Sequence, residues 1–357
     1  MKNKTWKILF LLPVICTSCS SVYQFTVEVQ EPAKVTLPVS AQNVLILNNS
    51  ISQPQDYGIE QTPDKQSNST MQYRLSLDTM AWVAIDEIAA RLNESNFFKT
   101  IAIYHEPLRT DSDWLSNIAF LSPDLQSEFY NMGNYDALLV INRLLFSVQE
   151  HVGERQSTVY YFNPLVYVDI RALGLLTCSM YVYGKEKPLI TFTASDSLVG
   201  RYLDSGDSVV VFKEIPEYTL QELSGRLGNQ AANNFIPTWL TENRMFFTGY
   251  NSRMQEATSY AANHKWTNAE AIWNAELGKK TKPADKAKIT FNIAVANEMQ
   301  DKFESALVWA QKAKEYFGSA NINEDSQEME FIDKYISALE LRMQNNRLLD
   351  LQWGKSN

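Results

Sequence analysis

The residue in this 357-residue chain whose surroundings prescribe chemistry is Cys19. Lys2, Lys4 and Lys7 precede an apolar run from Ile8 to Ile15, and the small residues Thr17 and Ser18 then lead into the thiol. Charge, apolar run and small-residue cut site, in that order, are the pattern of an export signal. The eight apolar residues are far fewer than the roughly 20 that a helix needs to span a bilayer, so residues 1–18 read as a segment for targeting and removal. A cut before Cys19 leaves a thiol and a new amine for acylation. Two or more acyl chains anchor stably, because each buried methylene contributes about 0.8 kcal/mol. Ordinary signal cleavage without lipid is the competing reading. Cys16 is a poor alternative, since the bulky Ile15 stands next to its cut.

Elsewhere the side chains offer little chemistry. The three histidines, His105, His151 and His264, are scattered, and none has a second His or Cys at metal-ligand spacing. Thirteen glycines are few, and Gly184-Lys185 lacks the further glycines whose amides would wrap a phosphate. No cofactor is expected. Asp169 and Arg171 alternate on a strand and share a face, as a site or as a cross-strand ion pair. Asp196, Asp204 and Asp207 surround turn-forming residues, without the oxygen ligands that a calcium loop needs. Tyr160-Tyr161-Phe162 is an aromatic run suited to sugar stacking or to packing. Cys178, in an apolar strand-like stretch, reads as a buried, inert thiol.

The elements around these residues fall into two groups. About 340 residues beyond the signal point to two domains. Losing Lys2, Lys4 and Lys7 and no acid moves the formal charge from -9 to -12, which argues against a nucleic-acid partner. Residues 19–42 read as a lipidated tether, with a short strand-like stretch from Ala33 to Leu37. Residues 43–249 read as a sheet domain opening β-α-β-α-β. Its strands are expected at Asn43–Asn48, Lys99–Tyr104 and Tyr135–Phe146, with helices from Asp78 to Asn93 and from Pro123 to Tyr130. Leu165–Ala172, Leu175–Tyr183 and Leu189–Ser195 follow as a meander, then a helix from Leu220 to Phe235. The predicted fold class is α+β: an N-terminal mixed β-sheet domain with flanking helices, followed by an all-α helical tail.

That tail, residues 250–345, contains an internal repeat. Ala257, Tyr260, Trp266, Ala269 and Trp273 align with Ala294, Asn297, Phe303, Ala306 and Ala310 at a constant offset of 37 residues. Small residues let paired helices approach, and aromatics fill the wedge between hairpins. The pattern resembles the tetratricopeptide repeat, with Asn297 where that motif has Tyr. A third helix, Glu328 to Met343, carries Ile332, Tyr335, Ile336 and Leu339 on one stripe, and residues 346–357 are a C-terminal tail. Trp266, Trp273, Phe303 and Trp309 are the candidate partner-binding residues; their spacing equally fits a core between helices.

Taken together, Pro32-Ala-Lys-Val-Thr-Leu-Pro38, the strand ending in Asn at Val44–Asn49 and the repeat-like tail resemble a family of Bacteroidetes lipoproteins of unknown activity. The sheet-domain opening is more distantly similar to the curli secretion lipoprotein family, which forms oligomeric pores. The resemblance implies lipidation at Cys19. Ser20, in place of Asp after the Cys, and the lack of an acidic cluster over Ser20–Phe25 favour an outer-membrane protein facing the periplasm. The expected function is a non-enzymatic scaffold or adaptor for envelope proteins. A subunit of an oligomeric secretion or assembly complex, with self-association, is the alternative. A glycan- or peptide-acting hydrolase using Asp169 or Asp196 is the third reading, and no acid and base stand paired at recognisable spacing for it.

Overall fold

The computed structural model describes residues 22–54, 57–60, 72–74, 77, 79–109, 111–114, 120–151, 166–204, 212–214, 217–249, 251–280, 282–320 and 326–355. Cys19, Asp78, Tyr160, Tyr161, Phe162 and Asp207 lie outside them. The chain forms two compact units. One holds Leu240–Asn345 with the N-terminal residues up to Val29; the other holds Gln30–Trp239 with Asn346–Asn357.

The elements of the first half are β1 (Val22–Glu31), β2 (Asn43–Asn48), β3 (Ile59–Glu60), β4 (Gln72–Arg74), α1 (Met80–Glu94), β5 (Thr100–Pro107), α2 (Pro123–Gly133) and β6 (Ala137–His151). Then come β7 (Val166–Val182), β8 (Ile190–Asp204), β9 (Phe212–Glu214), α3 (Glu217–Ala232) and β10 (Thr238–Phe247). Five helices follow among the described residues: α4 (Ser252–Ala262), α5 (Trp266–Leu277), α6 (Pro283–Glu298), α7 (Phe303–Ser319) and α8 (Gln327–Gln352). This is the α+β arrangement that the sequence predicts.

The main sheet has the order β5-β2-β6-β7-β8, with β3 also on β6. β5, β2 and β6 run parallel, while β7 and β8 are antiparallel to their neighbours. The sheet is therefore mixed. α1 and α3 cover one face, and α2 covers part of the other. Val44 and Ile46 point into the first layer, Leu45 and Leu47 into the second. A parallel strand buried on both faces needs this unbroken apolar run.

The structure departs from the expected elements at several points; α8, for one, continues as helix to Gln352 through part of the expected C-terminal tail. The strands predicted on either side of Leu173-Gly174 are one continuous strand, β7. Gly174 does not break it; its missing Cβ makes room for α3, since a Cβ there would lie 2.7 Å from Leu227 Cδ1 and 3.1 Å from Leu223 Cγ. Where an extended tether is expected, Val22–Glu31 form a strand hydrogen-bonded to β10, and the strand-like stretch over 33–37 is not a strand.

Carboxamide side chains complete the backbone bonding of this unit. β2 pairs with β6 up to Ile141 and β3 resumes at Val148. In the gap, Gln53 stands in for a strand residue: its Nε2 donates to the Phe146 carbonyl at 2.9 Å, and its Oε1 accepts from the Phe146 amide at 2.7 Å. Gln352, at the end of α8, grips Ala33 in the same way, with both bonds at 2.9 Å. A primary amide has one donor edge and one acceptor edge, as a peptide does. Trp353 then meets Phe97 edge-on at 5.1 Å.

Helices α1 and α3 touch backbone to backbone at Gly228, where a Cβ would sit 2.4 Å from the Ala84 carbonyl oxygen. Gly228→Ala is expected to lower stability by about 1–3 kcal/mol through this overlap. Gly225→Ala, in open space on the same helix, is expected to stabilise by roughly 0.5–1 kcal/mol. Urea unfolding of both variants checks the pair.

Candidate functional site

The sequence places its candidate residues on the helical repeat, and the structure shows that repeat in its backbone. His264 and Asp301, 37 residues apart, both take the left-handed conformation at φ 58. The amide of Lys265 donates to the Tyr260 carbonyl, and that of Lys302 to the Asn297 carbonyl, at 2.9 and 3.0 Å. Lys265 and Lys302 then start α5 and α7 with nearly the same angles, φ -89, ψ 62 and φ -94, ψ 63. The same turn is thus built twice. Behind it, Ala257, Ala269, Ala294, Ala306 and Ala310 are fully buried, the close helix packing that their size permits.

Helix α6 is buried on every side from Ile289 to Glu298, so it forms the centre of this unit. The extended strand β10 supplies part of what surrounds it. Phe246 lies 5.6 Å from Trp273 and 6.2 Å from Trp266, ring to ring, while Phe247 meets Phe291 at 5.6 Å and Phe317 at 6.3 Å. β1 adds Tyr23 and Phe25, at 5.1 and 6.0 Å from Phe246.

Of the four residues predicted to bind a partner, Trp273 is fully buried and Trp266 is 8% exposed, both in this aromatic cluster. Phe303 and Trp309 are partly buried. Each carries a cation over its ring: the Arg342 guanidinium at 4.7 Å from Phe303, and Lys312 Nζ at 4.9 Å from Trp309.

Polar groups pin β10 in place. Asn292 of α6 accepts from the Phe247 amide and donates to the Phe247 carbonyl, both at 2.7 Å. Glu298, fully buried, accepts from Arg244 Nε at 3.0 Å and Nη2 at 2.9 Å. Its carboxylate also accepts from Arg342 Nη1 and from the Tyr335 hydroxyl, each at 2.8 Å. Glu242 completes the cluster, 2.6 Å from Arg244 Nη2, so two carboxylates balance two guanidinium groups. Burial works against the Arg244 charge, but Glu298 and then Glu242 outweigh it and hold the proton more tightly than usual. Burial, reinforced by the Glu298 carboxylate, pushes the Tyr335 phenol well above its ordinary value of 10.0.

Sequence reasoning misses this set, apart from Tyr335 on its apolar stripe. The available signal is Asn292, Asn297 and Glu298 inside an otherwise apolar helical run. Their partners are distant in sequence, so spacing does not reveal them. Chemically, the cluster cross-links one strand and two helices. Its oxygens face guanidinium and phenol groups that already donate to them.

The sheet unit gathers polar groups of a different kind. At the bulge between Ile141 and Arg143, Asn142 Nδ2 donates to Ser179 Oγ at 2.8 Å. Ser179 bonds Thr191 at 2.7 Å, and Thr177 bonds Thr193 at 3.0 Å, a hydroxyl ladder across strands. Asp136 accepts from the Asn43 amide and side chain, at 2.9 and 2.7 Å, and so fixes the start of β2. Asp196 accepts from the Ser197 amide at 2.8 Å and lies 4.0 Å from Arg226. Asp169 falls within β7, opposite His151 and Arg201 in register. Arg171 makes a long contact with Ser197 Oγ, at 3.5 Å. Burial pushes the Cys178 thiol up, as expected for an inert core cysteine. Among the described residues, no three His, Cys, Asp or Glu side chains are gathered as a metal would require.

Residues 41–247 match the family described as Domain of unknown function (DUF8603), more than half of the chain. The chain belongs to that family. Residues 255–341 match a second family, Domain of unknown function (DUF6340). No curated protein matches. Among solved structures, the chain is similar to the dodecamer of a PelC point variant from Paraburkholderia phytofirmans, at 8% identity over 59% of this chain and 97% of that one, with a TM-score of 0.22. The family boundaries cross the structural ones. β10 closes the DUF8603 match, yet its last two residues, Phe246 and Phe247, pack on α5, α6 and α7 of the DUF6340 match.

Removing one partner of a buried ionic cluster leaves the others uncompensated. Glu298→Ala is therefore expected to cost about 3–5 kcal/mol in urea unfolding. The raised Tyr335 phenol predicts a pH dependence. Its contribution is fully present below the unfolded-state value near 10 and is lost as pH rises beyond it, because only the unfolded chain then releases the proton. Stability above pH 10 should fall more steeply in the native sequence than in Tyr335→Phe.

Proposed function

We propose that the chain is a lipid-anchored envelope protein, held in the outer membrane through Cys19 and facing the periplasm, that acts as a non-enzymatic scaffold or adaptor. The observation that carries this reading is the run of basic, apolar and small residues that ends at Cys19. The use of the best-placed charged groups supports the non-catalytic part. Glu298 is bonded to both Arg244 and Arg342, and Asp136 and Asp196 hold backbone amides. No helix among the described residues is long and apolar enough to cross a membrane, which leaves the acyl chains as the proposed attachment. The partner is a second envelope protein. It would be held at the outside of the helical unit, where Val308 and Leu341 are 62% and 53% exposed, since Trp266 and Trp273 are enclosed by the chain's own strands.

A second reading, a subunit of a self-associating secretion or assembly complex, is favoured by β8. This fifteen-residue strand pairs with β7 and carries no strand on its other edge among the described residues. An uncovered edge of that length is a template for another chain. Native mass spectrometry of the delipidated protein separates the readings, with a closed oligomer for the second and a monomer for the first.

The anchor is tested by Cys19→Ala. The native sequence is expected to incorporate labelled palmitate and to sediment with membranes, and the variant to lose both. Palmitate incorporation by the variant, or a native protein that stays unlabelled and soluble, contradicts the reading.

A further inference from the structure

Strand β1 begins at Val22, three residues after Cys19. Even fully extended, three residues reach only about 10 Å. β1 is not a loose leader: it pairs with β10, Tyr23 stacks on Phe246 at 5.1 Å, and Phe25 packs on Trp266 at 5.2 Å. Moving Tyr23 or Phe25 away would break the aromatic cluster in which Trp266 and Trp273 are buried.

We infer that the start of β1 is a membrane-contact surface, which seats the helical unit directly on the lipid headgroup layer. The inference rests on the lipid-anchor reading above and deepens it, because it replaces a flexible tether with a rigid mount. The residues at this end suit that place. Val22 and Tyr23 are 38% and 37% exposed, although apolar or aromatic. A partly exposed tyrosine with its ring on protein fits the boundary between hydrocarbon and water. The contact is made without charge attraction, since the processed chain carries a formal charge of -12. Neutral, zwitterionic lipid is therefore the matching surface. An adaptor mounted this way holds its partner close to the bilayer.

The test uses the full-length acylated protein in phosphatidylethanolamine-rich vesicles, with a nitroxide on Val22→Cys; the buried Cys178 does not compete for the label. A second protein carries the same label and a twelve-residue Gly-Ser insertion between Ser20 and Ser21. Collision with a water-soluble nickel chelate is expected to be at least threefold weaker for the native-length protein than for the insertion variant. Oxygen, which concentrates in lipid, should show the opposite order. Equal nickel accessibility in the two proteins, both of them floating with the vesicles, overturns the mount and leaves the anchor standing. A native-length protein that does not float overturns the anchor reading, and the mount with it.

Discussion

Strand β10 is the constraint on which the helical unit depends. Its C-terminal end is buried at Arg244, Phe246 and Phe247, and there its backbone and side chains satisfy needs that the helices cannot meet alone. Asn292 takes up both polar groups of Phe247, Glu298 neutralises Arg244, and the rings of Phe246 and Phe247 fill the space between α5, α6 and α7. A two-hairpin repeat is short for independent stability, because each hairpin has only one neighbour to bury its face. Here the chain's own strands supply the missing surface. Two of the aromatic positions of the repeat, Trp266 and Trp273, are taken from within.

The same device appears three times among the described residues. Gln53 serves Phe146, Gln352 serves Ala33 and Asn292 serves Phe247, each satisfying one N–H and one C=O of a single residue. Buried peptide groups are costly when unpaired, and a carboxamide from a remote segment is a compact remedy. Each such contact also joins segments far apart in sequence. It therefore specifies topology as well as local bonding.

These long-range bonds mark the limit of what the sequence discloses. The repeat is legible, since apolar and small residues at a fixed offset encode paired helices locally, and His264 and Asp301 occupy equivalent turns. The central strands β2 and β6 are legible as apolar runs. β10 is not: Thr-Trp-Leu-Thr-Glu-Asn-Arg-Met-Phe-Phe alternates poorly, because Arg244 points inward to a charge 54 residues away. β1 is hidden for a related reason, as its partner β10 lies far downstream, at Thr238–Phe247. The break expected at Gly174 fails because the glycine answers to α3, a tertiary neighbour, and not to the strand. Of the candidate site, the aromatic positions are visible in the sequence and their enclosure is not. Solvation by another part of the chain leaves no local pattern.

Strand β1 is likewise part of the helical unit, since Tyr23 and Phe25 pack on Phe246 and Trp266. β10 is an integral strand of the helical unit and not a linker between two families. Amide hydrogen exchange at Phe247 tests it most directly. The account predicts protection equal to that of the central α6 amides, lost only on global unfolding. Exchange at Phe247 on the timescale of an exposed linker, with α6 still protected, would contradict it.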